Sequence, residues 1–386
     1  MNKINKDWKE VKLGDIGVFL RGFGISKKDL SDSGTPAIRY GDIYTKYDFI
    51  IKNISSFTNS KGTELKKGDI LFAGSGETIA EIGKSVAFID DFKALAGGDI
   101  IIFRPSIELD SAFLSYMLNT GKCRRDISVM GQGVIIAHIS SKSLQKLSVF
   151  LPSLDEQKRI ASALSKIDAY LENTIKLIEE KERFKRGIAK KLLTCKEGEN
   201  IPEARFKGFE DEWETIMLGD ILSYEQPKDY IVKSEEYNNK YKYPVLTAGK
   251  TFILGYTNEE FGIYNKLPVI IFDDFTTDAQ YVDFPFKVKS SAIKILKSKY
   301  YNTKLIYELI KNIKFNARTH KRYYISEYQY LKIKIPKSIK EQEKIGGYLS
   351  LLDEEIDNLK KQKELIKEIK RGAMQKLLSG EVRLLE

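Results

Sequence analysis

Cysteine and histidine are scarce in this sequence of 386 residues, which has only Cys123, Cys195, His138 and His320. Two cysteines cannot provide a disulfide framework for a chain of this length, so we expect a protein of a reducing compartment. None of the four residues has the close Cys/His spacing of a zinc site. The sequence therefore predicts neither a metal centre nor a disulfide-based fold.

Long hydrophobic runs and the motifs of several enzyme classes are also absent. No apolar stretch approaches the length of a membrane span and the N-terminal segment has no apolar signal region, so we expect a cytoplasmic protein without a membrane partner. No P-loop occurs, and Gly22-Phe23-Gly24 does not complete a dinucleotide fingerprint. Gly74-Ser75-Gly76 lacks the spacing of a nucleophile elbow. We therefore predict a chain that recognises and does not catalyse, with no cofactor of its own.

Basic residues are in excess over acidic ones. The chain has 64 Lys and Arg residues against 54 Asp and Glu residues, a formal net charge of +10. Such an excess suggests an anionic partner, with nucleic acid the first choice and a membrane surface the second. A hydrophobic content of 42% indicates a folded protein.

One long segment occurs twice, at 151–194 and at 335–379. The two copies superpose without a gap, so that Asp168 in the first corresponds to Asp353 in the second. Each copy begins beside a proline and repeats apolar residues about every 3.5 positions, which predicts a long helix whose apolar seam needs a partner helix. We predict that the two helices, each roughly 55 Å long at about 1.5 Å per residue, pair with each other as an antiparallel coiled coil.

A globule is predicted before each long helix. The matching segments Trp8–Ile16 and Trp213–Ile221 open the two globules, and short β-branched runs broken by Gly, Asp and Ser predict strands and turns within them. The predicted fold class is therefore α+β, with two α/β globules separated by two long helices in a pseudo-two-fold repeat. The predicted boundaries are 1–150 for the first globule, 151–194 for the first long helix, 195–212 for a linker, 213–334 for the second globule, 335–379 for the second long helix and 380–386 for a C-terminal tail.

The duplicated motifs resemble those of the specificity subunits of type I restriction–modification systems. The shared features are the segments that open the two globules, Trp8–Ile16 and Trp213–Ile221, and the Glu-Gln pair at the start of each long helix. They also include the helix ends Arg186–Leu193 and Arg371–Leu378 and the segment Arg205–Phe209 before Trp213. The resemblance implies that the globules are target recognition domains, each of which reads one half of a split DNA sequence. It also implies that the helices set the spacer between the halves and dock the methylation subunits.

The same resemblance implies a set of partners and cofactors. Double-stranded DNA is the expected target, two methylation subunits are the expected direct partners, and restriction subunits are expected to bind through them. S-adenosylmethionine, ATP and magnesium are expected on those partner subunits. Two alternatives remain open from the residues alone: a stand-alone nuclease or methyltransferase, which lacks its motifs here, and a protein-only coiled-coil scaffold, which predicts no salt-sensitive affinity for DNA.

Basic, aromatic and polar residues in the globules are candidates for DNA contact, because cations bind phosphates and polar groups read base edges. No residue is predicted to be catalytic or to bind a metal. The candidates in the first globule are Arg21, Arg39, Tyr40, Lys46, Ser75, Glu77, Lys84, the cluster Lys122, Arg124 and Arg125, and Gln132 and His138. The candidates in the second globule are Lys250, Thr251, Tyr256, Asp273, Asp274, Thr276, Gln280, Asn316, Arg318, His320, Lys321, Arg322 and Tyr323.

Overall fold

The computed structural model describes residues 7–133, 137–247, 251–298, 300–315, 317 and 321–384. The chain divides into two compact units, one formed by the residues up to Ile175 together with those from Gln362 onward, and the other by Lys176–Lys361. Each unit holds one mixed domain and one half of each of two long helices.

The first domain is built from short strands and helices, with 3-10 turns at Leu13–Asp15 and Lys27–Asp29. Its strands are β1 (Lys9–Lys12), β2 (Gly17–Arg21), β3 (Leu30–Ser31), β4 (Thr35–Ile38), β5 (Ile50–Ile51), β6 (Phe57–Thr58), β7 (Thr63–Glu64), β8 (Ile70–Ala73), β9 (Ser75–Gly76), β10 (Ser85–Phe88), β11 (Leu95–Ala96), β12 (Ile100–Pro105), β13 (Ala137–His138) and β14 (Ser148–Leu151). Its helices are α1 (Tyr40–Thr45), α2 (Ser111–Leu118), α3 (Gly121–Val129) and α4 (Ser141–Gln145).

Two five-stranded sheets form the centre of this domain, in the orders β2-β12-β8-β10-β5 and β3-β6-β4-β11-β7. The pairs β10–β5 and β11–β4 are parallel, and β12 is antiparallel to both of its neighbours. β8 and β10 are buried along their whole length, which agrees with the continuous apolar run of β8 and with the apolar residues that follow Ser85 in β10. The separate pair β1–β14 joins the two ends of the domain directly before the first long helix.

The first long helix, α5 (Leu154–Leu193), starts immediately after this strand pair. Ser153 caps it, because its hydroxyl accepts a hydrogen bond from the Glu156 amide at 3.3 Å. Two acidic residues in the first turn suit the positive end of the helix dipole.

The second domain repeats the topology of the first with fewer elements, and has 3-10 turns at Lys228–Tyr230 and Tyr328–Tyr330. Its strands are β15 (Glu214–Met217), β16 (Leu222–Glu225), β17 (Tyr243–Leu246), β18 (Ile253–Thr257), β19 (Val269–Asp273), β20 (Ala279–Val282), β21 (Lys287–Val288), β22 (Ile293–Ser298) and β23 (Lys332–Ile335). Its helices are α6 (Leu218–Ile221) and α7 (Thr303–Lys311). The order β16-β22-β19-β20 matches β2-β12-β8-β10, and the pair β15–β23 matches β1–β14.

The second long helix, α8 (Ile339–Leu377), follows β23. Its Gly346 permits a close approach, since a Cβ at that position would lie 2.5 Å from the Asn302 side-chain oxygen that caps α7. The repeat places the buried Ala161 at the equivalent position of α5. The glycine therefore follows from packing against the second domain.

The two long helices pack against each other in opposite directions within each unit. In the first unit Ile160 and Leu164 of α5 share an apolar core with Leu377 of α8, while Asp168 pairs with Lys370 at 2.6 Å. Residues further along α5 therefore contact residues nearer the start of α8. The predicted antiparallel pairing is confirmed here.

The second unit shows the same direction of pairing. Lys181 of α5 binds Glu355 at 2.6 Å, and Lys185 binds Asp353 at 2.5 Å. Leu192 of α5 lies in one apolar core with Ile345 of α8. The predicted α+β fold class, with two mixed domains and an antiparallel helix pair, is therefore confirmed.

The repeated Glu-Gln pair anchors each domain to its helices. Gln157 donates to the Pro152 carbonyl at 3.0 Å and accepts from the Asp110 amide at the start of α2, also at 3.0 Å. Gln342 makes the same two bonds, at 2.8 Å to the Pro336 carbonyl and at 2.9 Å from the Asn302 amide at the start of α7. The sequence had indicated only a helix start at these residues.

The glutamate of each pair binds an arginine from a different segment of the chain. Arg383 holds Glu156 with two hydrogen bonds of 2.6 and 2.7 Å in the first unit. Arg205, from the segment between α5 and the second domain, holds Glu341 with two bonds of 2.8 Å in the second unit. Both glutamates are buried, so these fork-shaped contacts fix the segments that follow each long helix.

Candidate nucleic-acid interface

The loop after β8 is held in a fixed conformation by backbone bonds. The Gly74 amide donates to the Asp99 carbonyl at 2.8 Å, and the Gly74 carbonyl accepts from the Ile139 amide at 3.0 Å. A Cβ on Gly74 would lie 2.8 Å from the Asp99 carbonyl oxygen, so a larger residue at this position of the first domain would force the backbone to shift. The loop and the segment that precedes β14 are thereby brought together.

Five candidate residues of the first domain line one cavity of about 890 Å³ beside this loop. Tyr44 shares the cavity, donates its hydroxyl to the Ser75 carbonyl at 3.1 Å, and has its pKa raised to about 12 by burial. The exposed acid Glu81 adds a negative group to the lining. The candidates in the lining are Tyr40, Ser75, Glu77, Lys84 and Arg124.

The two cations of this cavity are tied to backbone oxygens. Lys84 donates to the Tyr47 carbonyl at 2.6 Å, and burial lowers the pKa of its ammonium group. Arg124 donates to the Ile82 carbonyl and to the Ser128 hydroxyl, the latter at 3.3 Å. Tyr40 and Glu77, in contrast, are exposed at the rim. The exposed residues are therefore better placed than Lys84 and Arg124 to contact a macromolecule.

A second cleft of about 380 Å³ lies on the other side of the loop and contains three candidates. Arg21 ends β2, and Ser75 and His138 occupy the paired strands β9 and β13. The Ser75 hydroxyl and His138 Nδ1 lie 3.0 Å apart. Gln132 exchanges two backbone hydrogen bonds with His138, at 2.8 and 2.9 Å, so it belongs to the same surface.

Other candidates of the first domain lie elsewhere. Arg39 and Lys46 flank α1 and both contact the buried Asp42 carboxylate, at 3.4 and 3.2 Å. Helix α3 divides the predicted basic cluster, because Lys122 and Arg125 line a different cleft, of about 670 Å³, together with Arg371 of α8. Residues one or two positions apart on a helix point in different directions, which explains why Arg124 is separated from them.

The loop after β19 in the second domain holds the equivalent place. The Asp274 amide donates to the Ala292 carbonyl at 3.0 Å, and the Asp274 carbonyl accepts from the Tyr323 amide at 2.8 Å. The same two bonds are made by Gly74 in the first domain. Both domains therefore join the loop after a central strand to the segment that precedes the last strand.

Asp274 and Tyr323 are buried, unlike the exposed positions expected of DNA-contacting side chains. The Asp274 carboxylate accepts from the Tyr324 amide at 2.8 Å and lies 3.5 Å from the buried Lys294 ammonium group. Asp273 accepts from the Phe275 and Thr276 amides at 2.8 and 2.9 Å and so closes the turn. Through these contacts the two aspartates fix the conformation of the loop.

The remaining candidates of the second domain are spread over three elements. The exposed Arg322 places its guanidinium 5.9 Å from the centre of the Phe275 ring, and Lys321 pairs with Glu327. The other side chains lie on or beside β18 and β20, or at the loop already described; they are Thr251, Tyr256, Gln280 and Thr276. Lys250, Asn316, Arg318 and His320 lie outside the described residues.

Residues 5–180 and 210–368 match the protein family described as "Type I restriction modification DNA specificity domain". The chain belongs to this family. The two matches cover one domain each together with part of the long helix that follows it.

Curated relatives of this chain are named as specificity subunits of type I restriction enzymes. The EcoR124I/EcoR124II specificity subunit of Escherichia coli is 51% identical over 141 residues, which are 35% of this chain and 34% of that protein. In that match the chain spans about a third of its relative. The MjaVIII specificity subunit of Methanocaldococcus jannaschii is 24% identical over a 430-residue alignment that covers 99% of this chain and 94% of that protein.

Solved structures share the fold over the whole chain. The S subunit of a type I restriction–modification system from M. genitalium gives a TM-score of 0.69 at 22% identity, over 98% of this chain and 97% of that one. A chain from a study of complex assembly and conformational transition in the type I system gives 0.53 at 12% identity, over 98% and 100%. At these identities the likeness establishes the fold alone.

Family membership makes this chain the DNA-recognition subunit of a type I restriction–modification system, and not its catalytic subunit. Its targets and partners are therefore DNA and other subunits of such a complex. The role requires no cofactor on this chain. Neither a stand-alone DNA-modifying enzyme nor a protein-only scaffold is favoured by these matches.

The residues that the structure describes contain neither a metal-binding cluster nor a membrane-spanning helix. Over those residues no group of three or more His, Cys, Asp or Glu side chains is arranged to hold a metal ion. Cys123 is buried, and burial raises the pKa of its thiol to about 12. Nor does any helix in the described part of the chain combine the length and apolar character needed to cross a membrane.

Sequence reasoning missed several residues that shape the site. Tyr44 lies four positions after Tyr40 on α1, so helical spacing could have placed it in the same cavity. Asn119 binds Ser85 through its side chain, at 2.7 Å to the carbonyl, and has no comparable signal in the sequence. Lys294 pairs with Asp274 only because β22 and β19 are neighbours in the sheet.

Proposed function

We propose that each domain reads one half of a split DNA sequence and that the helix pair sets the number of base pairs between the halves. In this proposal residues 1–150 and 213–334 are the target recognition domains and 151–194 and 335–379 are the spacer helices. The segment 195–212 is the linker and 380–386 is the tail. The observation that supports it most strongly is the duplicated loop geometry at Gly74 and Asp274, which presents unlike side chains from the same framework.

The surfaces proposed to meet DNA are those beside the two loops. Arg21, Gln132 and His138 form one exposed group in the first domain, with Tyr40 and Glu77 at the rim of the adjacent cavity. Arginine suits phosphates and guanine edges, and glutamine suits adenine edges. The unlike residues of the two domains imply that the two half-sequences differ.

Arg322 and Thr276 are the proposed counterparts in the second domain, since both are exposed and both flank the Asp274 loop. Asp274 and Tyr323 are buried, and the backbone hydrogen bond between them holds this loop in place. The candidates at 250, 316, 318 and 320 remain predictions.

The proposed assembly contains further subunits. Two methylation subunits dock on the spacer helices, and restriction subunits join through them. S-adenosylmethionine, ATP and magnesium act on those subunits, and the complex works in the cytoplasm, where its DNA target is. The paired repeat supports the number two, because each unit offers one equivalent set of helix surfaces.

Mapping of modified adenines tests this proposal directly. Cells that express the chain together with its methylation partner should modify one asymmetric sequence, made of two defined parts separated by a fixed number of unspecified base pairs. Cells that express the methylation partner alone serve as the control. Modification at a single continuous sequence, or equal modification with and without the chain, would contradict the proposal.

A further inference from the structure

Each unit contains a lysine–aspartate pair between the two long helices. Lys370 of α8 binds Asp168 of α5 at 2.6 Å, and both side chains are mostly buried. Lys185 of α5 binds Asp353 of α8 at 2.5 Å. The two lysines occupy equivalent positions of the repeat, as do the two aspartates. The same pair therefore occurs twice. Helix α5 supplies the aspartate in the first unit and the lysine in the second, and α8 supplies the other member each time.

The first domain adds a third member to its pair. The Tyr116 hydroxyl, on α2, donates to the Asp168 carboxylate at 2.5 Å. Tyr116 is fully buried, and its ring packs against Phe49, with the two ring centres 4.8 Å apart. The Lys370 ammonium lies 4.7 Å from the centre of the same Phe49 ring. Lys370 also lies 3.7 Å from the carboxylate of the exposed Asp48, so helices α2, α5 and α8 meet at one largely buried polar junction with solvent at its edge.

The second domain reaches its pair from the equivalent helix. Lys304 of α7 donates to Asp353 at 2.7 Å, and Glu308 of α7 accepts from Lys185 at 3.1 Å. Asp110 and Asn302 cap the two helices in the same way, so Glu308 stands at the position that Tyr116 occupies in the first domain. The two junctions share the aspartate and lysine of the long helices but differ in what the domain supplies.

We propose that these two junctions are positioning sites, which fix the orientation of each recognition domain on the helix pair and so the spacer length that the subunit accepts. This inference rests on the proposed function. Apolar contacts change little in energy when a domain slides or rotates slightly, whereas a buried charge that loses its partner is strongly destabilised. A buried polar group can therefore select a single register and orientation among several that pack equally well.

The charges within each junction support this reading. In the second junction Lys185 and Lys304 pair with Asp353 and Glu308, two cations with two carboxylates, and Lys311 of α7 interacts electrostatically with the same four groups. Burial alone would raise the pKa of Asp353, but the bonds from Lys185 and Lys304 outweigh burial and lower it. The more exposed pair Lys181–Glu355 joins the same two helices, but solvent screens its charges.

Spacer discrimination by the assembled complex tests the inference. The probes are three duplexes that carry the mapped half-sequences separated by the native spacer, by one base pair fewer and by one more. Tyr116→Phe removes the hydroxyl, and with it the bond to Asp168 and a longer contact of 3.4 Å to the Ser165 hydroxyl, while Asp353→Asn removes the aspartate charge of the second junction. For each variant, the affinity for the native-spacer duplex divided by the affinity for an altered-spacer duplex should fall by about fivefold. This factor corresponds to the free energy of about one buried hydrogen bond.

The matched controls are Lys52→Ala and Lys181→Ala. Lys52 belongs to an exposed pair with Glu172 that joins the first domain to α5, at 2.6 Å. Both controls should retain the wild-type ratio, because exposed pairs contribute little. Melting temperatures are recorded for all variants, so that a loss of stability is separated from a loss of discrimination.

Two results would overturn the inference. An equal loss of affinity for all three duplexes would show that the junctions stabilise the fold without positioning the domains, and unchanged ratios would show the same. If the wild-type complex binds the three duplexes equally, the proposed function itself fails, and this inference fails with it.

Discussion

Individual side chains at the candidate interface differ in how deeply they are buried. Asp274 and Tyr323 are buried, while Arg322 is exposed beside the Phe275 ring. A buried side chain already satisfied within the protein gains little from DNA, whereas an exposed guanidinium can bind a phosphate or a base edge. Exposure, more than residue type, therefore separates contact residues from supporting residues.

Arg322→Ala should weaken DNA binding by the assembled complex. If its guanidinium meets a phosphate, the slope of log affinity against log salt should fall by about one. Titrations of a labelled target duplex at several salt concentrations measure both quantities. Lys337→Ala, a change at an exposed residue beside the start of α8, is the charge-matched control. Identical affinity and salt slope in the two variants would remove Arg322 from the interface.

Arg205→Ala should destabilise the second unit. The substitution leaves the buried Glu341 carboxylate with the Trp213 indole, at 3.4 Å, as its remaining side-chain donor among the described residues. We expect a loss of about 3 kcal/mol in the free energy of unfolding, the usual result of leaving one buried charge unpaired. Urea denaturation measures the change. Lys207→Ala, at an exposed position of the same segment, should cost less than about 0.5 kcal/mol; equal effects would contradict the account.

At the scale of elements, the sequence predicted much of what the structure shows. The repeat, the proline before each long helix and the apolar period were enough to predict both helices and their antiparallel pairing. The short β-branched runs of both globules correctly indicated strands, among them the equivalent central strands β8 and β19. These features are local or periodic, so they can be recognised without knowing the tertiary contacts.

Other features of the elements could not be predicted, because they depend on contacts between distant segments. Lys185 and Lys370 interrupt the apolar period and resemble solvent-facing residues, yet each is mostly buried against an aspartate far away in sequence. Glu156 and Gln157 suggested only a helix start, but both are tertiary anchors. The division of the basic cluster by α3, in contrast, follows from helical spacing and was predictable.

The helix pair should lose stability in acid partly through Asp353. Because its folded-state pKa is lowered, this carboxylate stabilises the fold above about pH 4 and ceases to do so as the pH falls through that pKa. Asp353→Asn should cost about 1–2 kcal/mol at pH 7, a value reduced by its partial exposure, and less at pH 3. Denaturation at both pH values, with the exposed Asp357→Asn as control, measures this. An equal cost at both pH values would contradict the assignment.

At the scale of the whole molecule, two recognition domains with unlike surfaces share one framework and one pair of helices. Each domain carries the same strand order and the same anchors at its Glu-Gln pair, while the exposed residues beside the loop differ. A conserved framework with variable surfaces allows one assembly to recognise two different half-sequences. On this account the spacer depends on the helices and the half-sequences depend on the domains.

Insertion of one heptad into each long helix, after residues 176 and 361, separates these two dependences. Seven residues lengthen each helix by about 10 Å at 1.5 Å per residue, which corresponds to about three base pairs at 3.4 Å each. Seven residues are two periods of 3.5, so the apolar period of each helix is kept, and residues 176 and 361 are equivalent in the repeat, so both helices lengthen at matching positions. A heptad inserted in α5 alone is the control and should abolish modification, because it breaks the pairing.

Mapping of modified adenines in cells that carry the double insertion is the most direct measurement. We expect both half-sequences to remain unchanged and the spacer between them to become longer by about three base pairs. Altered half-sequences with an unaltered spacer would contradict this expectation.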